Sequence, residues 1–377
     1  MIALSCVHCG EKMTVTDEPG GKRGKCARCG HTVFIPPSPS ESGSLSATML
    51  SRKAPKPQPP VSSQSTISFP PPAPASDAAT RVEPPSGPPA EWLAMLAPPQ
   101  DEGELGRLRD YRVLRVLGSG GMGVVFQAED LLLQRPVAIK AMLPALAATA
   151  GARQRFLREA RSAAQLSHDH IVPIFAVAEE RGVPFLVMPF LKGETLDARL
   201  KRVRHLELSE VLRVGREIAE GLTAVHAAGL IHRDIKPANV WLEGESARVK
   251  ILDFGLVRPS GGEPTLTQAG AILGSPAYMA PEQAAGQALD HRCDLFSLGC
   301  VLYQASTGAL PFRGDDSVAV LVAVVTGQPP SPAELNPHLP SPFCDLVLRL
   351  LAKQAVGRPG SAREVSQALA GMEREAD

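Results

Sequence analysis

Ile231-His232-Arg233-Asp234-Ile235-Lys236-Pro237-Ala238-Asn239, followed downstream by Asp253-Phe254-Gly255, is the stretch on which the reading of this chain turns. It sets two carboxylates, a carboxamide and a lysine within one short span. Asp234 can accept the proton of an attacking hydroxyl, and Lys236 can neutralise charge on a group in transit. Asn239 and Asp253 offer the oxygen ligands that Mg²⁺ prefers. Moving a phosphoryl group needs positioning and charge neutralisation more than covalent chemistry, so each position calls for its residue type.

Upstream, Gly118-Ser-Gly120-Gly-Met-Gly123-Val-Val125 lies between the strand-like runs Tyr111 to Leu117 and Val124 to Ala128. Three glycines at this spacing are weak evidence alone, since an ordinary glycine hairpin explains them as well. The context adds weight: strand-turn-strand puts backbone amides over a triphosphate, whereas a dinucleotide-binding fingerprint joins a strand to a helix. The next run, Val137-Ala-Ile-Lys140, carries a lysine on a strand. Such a lysine can pair the α- and β-phosphates if a carboxylate holds its flexible stem. Glu159, on a helix predicted over Arg153 to Leu166, is placed to do so.

Together with Gly274-Ser-Pro-Ala-Tyr-Met-Ala280-Pro281-Glu282, these segments resemble the eukaryotic-like (Hanks-type) protein kinase family, particularly its bacterial serine/threonine branch, in the family's order from Tyr111 to Ala370. The resemblance implies transfer of the γ-phosphate of ATP, with Mg²⁺ or Mn²⁺, to Ser or Thr hydroxyls of protein substrates. Asp234, Lys236, Lys140 and Glu159 would be catalytic, and Lys236 two residues after Asp234 is the serine/threonine form of the loop. Leu117, Gly118, Gly120, Gly123, Val125, Ala138 and Lys140 would line the nucleotide. Met188 would be the gatekeeper, with Pro189 and Leu191 facing adenine. Proline keeps its carbonyl, which the adenine amine uses, and the Leu191 amide can donate. Asn239 and Asp253 would hold the metal. The resemblance further implies that Asp294 braces the catalytic loop from the central helix and that Glu282 pairs with Arg358. It also makes Thr265 and Thr267 candidate autophosphorylation sites answering to Arg233.

The expected fold is α+β and bilobal: a small antiparallel sheet with one helix, then a mainly helical lobe. Val183 to Met188 reads as a further strand. Ser209 can cap a helix through Val211, Val214, Ile218, Leu222 and Val225 that stops at Gly229. Asp294 to Thr307 is apolar nearly all round, as a central helix is, and ends before Gly308. The catalytic domain is expected over 108–372.

Residues 36–107 read as a disordered linker, since 17 of the chain's 36 prolines fall between 36 and 99, mixed with Ser and Ala. Glu91-Trp92-Leu93-Ala94-Met95-Leu96 can form a turn of helix, either docked or solvated. Residues 1–35 carry Cys6-Val-His-Cys9 and Cys26-Ala-Arg-Cys29, whose spacing resembles a zinc ribbon with the four thiolates on one structural Zn²⁺. A redox pair would need a βαβ context that 35 residues cannot supply.

The chain of 377 residues has 39 basic and 39 acidic residues, so no global field steers it to nucleic acid or membrane. Residues 1–35 are themselves nearly balanced, and a zinc tetrathiolate adds about two negative charges, which makes nucleic acid an unfavoured partner. An adaptor partner suits the ribbon better. No run of 18 apolar residues occurs, and Met1 to Cys6 lacks a basic segment followed by an apolar one, so the cytosol is the expected compartment. Cys293, Cys300 and Cys344 are expected as buried small hydrophobes. Two other classes compete: a pseudokinase scaffold, disfavoured because Lys140, Glu159, Asp234, Asn239 and Asp253 are all present, and a zinc-ribbon nucleic-acid binder regulated by its kinase domain.

Overall fold

The structure is a computed structural model that describes residues 2–5, 12–15, 23–25, 32–34, 90–120, 123–253 and 276–376. The chain divides into two compact units, Met1–Ala79 and Thr80–Asp377. In the first, β1 (Ile2–Ser5) pairs antiparallel with β2 (Lys12–Val15), and β3 (Arg23–Lys25) with β4 (Thr32–Phe34). The four cysteines of this unit lie outside the described residues.

The second unit opens with α1 (Ala90–Leu93) and builds a six-stranded antiparallel sheet. Its strands are β5 (Gly106–Leu108), β6 (Tyr111–Gly120), β7 (Gly123–Asp130), β8 (Arg135–Met142), β9 (Ala176–Glu180) and β10 (Val183–Pro189), in the order β5-β6-β7-β8-β10-β9. The short helix α2 (Pro144–Ala147) and the longer α3 (Ala150–Ala163) interrupt it in sequence. Strand alternation sorts β8 cleanly. Val137, Ile139 and Ala141 pack outward with Val124, Phe126 and Phe185, whereas Ala138 and Met142 pack inward with Phe156 and Ala160 of α3.

Residues 90–107, counted with the linker in sequence, are folded onto this sheet. Met95 and Leu96 are 2% and 4% exposed and belong to the outer-face cluster. Burying each such side chain stabilises by about 1.5–3 kcal/mol, enough to order a short segment that has no periodic pattern of its own.

Three strands and two helices lead into the second lobe: β11 (Gly193–Thr195), α4 (Leu196–Val203), α5 (Leu208–Ala227) and, after the loop 231–239, β12 (Val240–Glu243) with β13 (Arg248–Ile251) completing a three-stranded sheet. The rest is helical: α6 (Pro281–Ala284), α7 (Arg292–Thr307), α8 (Ser317–Thr326), α9 (Pro332–Leu335), α10 (Ser341–Leu350) and α11 (Ala362–Ala376). Helix α7 is the predicted centre, buried on nearly every side, and it ends on Gly308 at φ 72°, where glycine takes a left-handed cap without steric cost.

Helix α5 departs from the sequence reading at its start. It begins at Leu208, with Glu207 as N-cap and no side-chain cap bond, so Ser209 lies inside the first turn. Val211 N–H bonds Glu207 O at 2.9 Å, and the burial of Val211 and Leu212 fixes the helix without the hydroxyl. Cys293, Cys300 and Cys344 are buried, and burial pushes the thiol of each upward, away from thiolate chemistry. Arg358 and Glu282 pair bidentately at 2.6 and 2.8 Å, the guanidinium fully buried and also donating to the carbonyls of Arg292, Ala352 and Lys353.

Candidate active site

The hairpin β12–β13 explains how residues far apart in sequence meet. Val240 pairs with Ile251, so the residues just outside the hairpin, Asn239 and Leu252, are neighbours, and Leu252 N–H donates to Asn239 O at 2.8 Å. Asp253 follows at once. The catalytic loop is thereby laid beside the segment that carries the second carboxylate.

Within the loop, Asp234 Oδ2 accepts from Lys236 Nζ at 2.8 Å and from Asn239 Nδ2 at 2.9 Å. Asn239 Nδ2 also donates to the Asp234 carbonyl at 2.8 Å. Three of the predicted residues therefore form one hydrogen-bonded group, and the Asn239 amide is oriented by its nitrogen.

The loop is braced from below. Asp294, fully buried on α7, accepts from His232 N–H at 2.8 Å and His226 Nε2 at 2.9 Å through Oδ2, and from Arg233 N–H at 2.7 Å through Oδ1. Burial opposes ionisation of Asp294, but the hydrogen bond from His226 and the nearby His232 outweigh it and hold the carboxyl below the ordinary range. Burial pushes His232 down, toward the neutral imidazole, whose Nε2 lies 2.9 Å from Leu252 O.

Arg233 adopts φ 66° and Asp253 φ 46°, in the left-handed region that side chains seldom occupy. The strain at Arg233 is over-determined: Asp294 holds its N–H, and Gln283 Nε2 of α6 donates to its carbonyl at 3.1 Å. Sequence reading anticipated Asp294. Gln283 and His226 were missed, although Gln283 follows the motif residue Glu282 and His226 lies in the last turn of the expected helix through Val225.

From the other lobe, Lys140 on β8 reaches the same place. Its cross-strand partners are Val125 on β7 and Leu186 on β10, and Ala138 is registered with Met188, so Val125, Ala138, Lys140 and Met188 share the inward face. Lys140 Nζ lies 2.8 Å from Asp253 Oδ1, which brings both lobes together at one ion pair. Glu159 is half-buried on α3. Gly118, Gly120 and Gly123 sit at the turn of β6 and β7, where Gly120 is registered with Gly123. Leu117 is at the bulge before them, 40% exposed. Pro189 ends β10 and is half-buried, as is Leu191 just beyond it. Phe254, Gly255, Thr265 and Thr267 lie outside the described residues, as do Cys6, Cys9, Cys26 and Cys29. No cluster able to hold a metal through three or more His, Cys, Asp or Glu groups occurs among the described residues.

Strands bearing a glycine turn and a lysine on one lobe, with a pinned carboxylate loop on the other, are the two-lobed arrangement of a protein kinase domain. The family model for the protein kinase domain matches residues 111–369, and the chain belongs to that family. The chain is 38% identical to serine/threonine-protein kinase pkn3 of Myxococcus xanthus over 275 residues, covering 70% of this chain and 50% of that protein. It is 42% identical over 258 residues to the DNA damage-responsive serine/threonine-protein kinase RqkA of Deinococcus radiodurans, covering 67% of this chain and 38% of that one. The chain thus spans half or less of the length of these curated relatives. The crystal structure of the Mycobacterium tuberculosis PknI kinase domain superposes with a TM-score of 0.56 at 29% identity, covering 70% of this chain and 96% of that domain.

Proposed function

We propose that the chain is an ATP-dependent serine/threonine protein kinase. The observation that carries this reading is the convergence of two polar groups, Lys140 with Asp253 and Asp234 with Lys236 and Asn239, on segments tied together by the Leu252 N–H to Asn239 O bond. Asp234 accepts the proton of a Ser or Thr hydroxyl as its oxygen forms a bond to the γ-phosphorus, and the bond to the β–γ bridging oxygen breaks to release ADP. Lys236, already beside Asp234, neutralises charge on the phosphoryl group. Lys140 exchanges its contact with Asp253 for the α- and β-phosphates, and Glu159 of α3 is the carboxylate that steadies it. Met188, Pro189 and Leu191 receive the adenine.

The donor set suits Mg²⁺ or Mn²⁺: a carboxylate from Asp253 and the amide oxygen of Asn239, whose nitrogen is already committed to Asp234. Bound there, the ion would neutralise phosphate charge. Transfer of labelled γ-phosphate to a basic protein by the wild type, absent from Asp234→Asn, tests the assignment. No transfer by the wild type with divalent metal supplied would refute it.

For the N-terminal unit, Cys6 and Cys9 fall between Ser5 and Lys12, which are paired in one hairpin, and Cys26 and Cys29 fall between Lys25 and Thr32, paired in the other. Two hairpins, each with a cysteine pair at its connection, support a zinc ribbon that serves as an adaptor. Elemental analysis is expected to find one zinc per chain and none after Cys9→Ser with Cys29→Ser; a metal-free wild type refutes the ribbon. No helix among the described residues is long and apolar enough to cross a membrane, and the cytosol is the proposed compartment.

A further inference from the structure

The segment that precedes the family match is not an inert lead-in. Leu96 and Ala97 are bound to both edges of the six-stranded sheet. At the β5 edge, Ala97 N–H donates to Arg107 O at 2.7 Å and Arg107 N–H donates to Ala97 O at 2.9 Å. At the opposite edge, Arg181, in the turn between β9 and β10, donates from Nη1 to Leu96 O at 3.1 Å. Between these ties, Met95 and Leu96 are buried against the outer face with Trp92 packed beside them.

The return of the chain is built for this contact. Gly106 has φ 149°, and a Cβ there would lie 2.4 Å from Ala97 O and 3.0 Å from Leu96 Cβ. The turn from Gln100 to Arg107 is pinned by Glu104, whose buried carboxylate accepts from the Gln100 and Asp101 amides and from Arg107 Nε. Its carboxyl is held below the ordinary range, chiefly by the Gln100 amide.

The strands under this segment are the ones that hold the nucleotide site. Val124, Val137 and Ile139 belong to the same outer-face cluster as Met95 and Leu96, and they alternate with Val125, Ala138 and Lys140 on the inner face. We infer that Trp92–Ala97 is an intramolecular strap that clamps the two sheet edges and thereby sets the affinity of the nucleotide site. The inference rests on the kinase reading above. The strap touches neither substrate nor reacting atoms, so its residues act as positioning residues through β7 and β8.

The test uses the full chain with Leu96→Asp, Leu96→Met and Gly106→Ala, and reads KM for ATP, kcat and direct nucleotide binding. Leu96→Asp and Gly106→Ala are expected to raise KM for ATP by about fivefold, equivalent to ~1 kcal/mol of nucleotide binding. In both, kcat stays within about twofold, and Leu96→Met restores the wild-type KM. If Leu96→Asp fails to fold, Gly106→Ala and Arg181→Gln carry the test, since neither changes a core side chain. A fall in kcat or in active fraction at unaltered KM would mean a purely structural role and overturns the strap. An active wild type with unaltered KM in every variant removes the strap alone; a wild type that neither binds nor transfers removes the kinase reading and the strap together.

Discussion

Asp234→Asn is expected to lower kcat by about 10²–10⁴-fold, the range lost with a general base, while KM for ATP and the thermal midpoint stay near wild type. The geometry separates these effects. Lys236 Nζ and Asn239 Nδ2 both donate to Asp234 Oδ2, and a carboxamide oxygen at that position can accept from both, so the loop keeps its shape. What is lost is basicity toward the incoming hydroxyl. Steady-state transfer of labelled phosphate, measured beside a melting curve, checks the prediction. A variant with wild-type kcat would remove Asp234 from the chemistry, and a variant that melts early would leave its role structural.

The second large effect is on stability. Asp294→Ala strips a fully buried acceptor from two backbone amides, His232 and Arg233, and from His226 Nε2. Breaking a buried hydrogen-bonded pair on one side costs about 3–5 kcal/mol, equivalent to a fall in midpoint of about 10 °C for a domain of this size. Arg233 would also lose one of the two bonds that enforce its left-handed backbone, so kcat should fall as well. Asp294→Asn keeps an oxygen acceptor and should lose less. Calorimetry of both variants checks the order; equal midpoints for wild type and Asp294→Ala would contradict the brace.

The same groups give stability a pH dependence on the acid side. The Asp294 carboxyl is lower in the fold than in the unfolded chain, so its contribution is complete above the ordinary carboxylate range and is lost as pH falls through the folded value. His232 is also depressed, by burial. The unfolded chain takes up that proton first, and stability erodes as pH drops below the ordinary histidine value of about 6.5. Removing Asp294 should flatten the lower part and enlarge the histidine part, since the Asp294 charge opposes the depression of His232.

How much was readable beforehand follows from what constrains each residue. Asp234, Lys236, Asn239, Asp253 and Lys140 were legible because the chemistry admits few substitutes at fixed spacing. Helix α7 was legible because a helix apolar on all sides has only the centre of a lobe to occupy. The strap was not. Trp92 to Leu96 is too short for periodicity and ends at Pro98 and Pro99, and its order comes from a sheet formed later in the chain. Helix α8, Ser-Val-Ala-Val-Leu-Val-Ala-Val-Val-Thr, has β-branched residues in a run that suits a strand as well as a helix, and tertiary packing of Val324 decided it. The contact of Lys140 with Asp253 depends on how two lobes meet, which no local pattern encodes.

The most direct measurement is a crystal structure of the protein with Mg²⁺ and a non-hydrolysable ATP analogue. The account predicts Lys140 Nζ on the α- and β-phosphates, the ion between Asp253 and Asn239, and the terminal phosphate facing Asp234. A nucleotide bound elsewhere, with Lys140 still paired to Asp253 and no metal at Asn239, would contradict it.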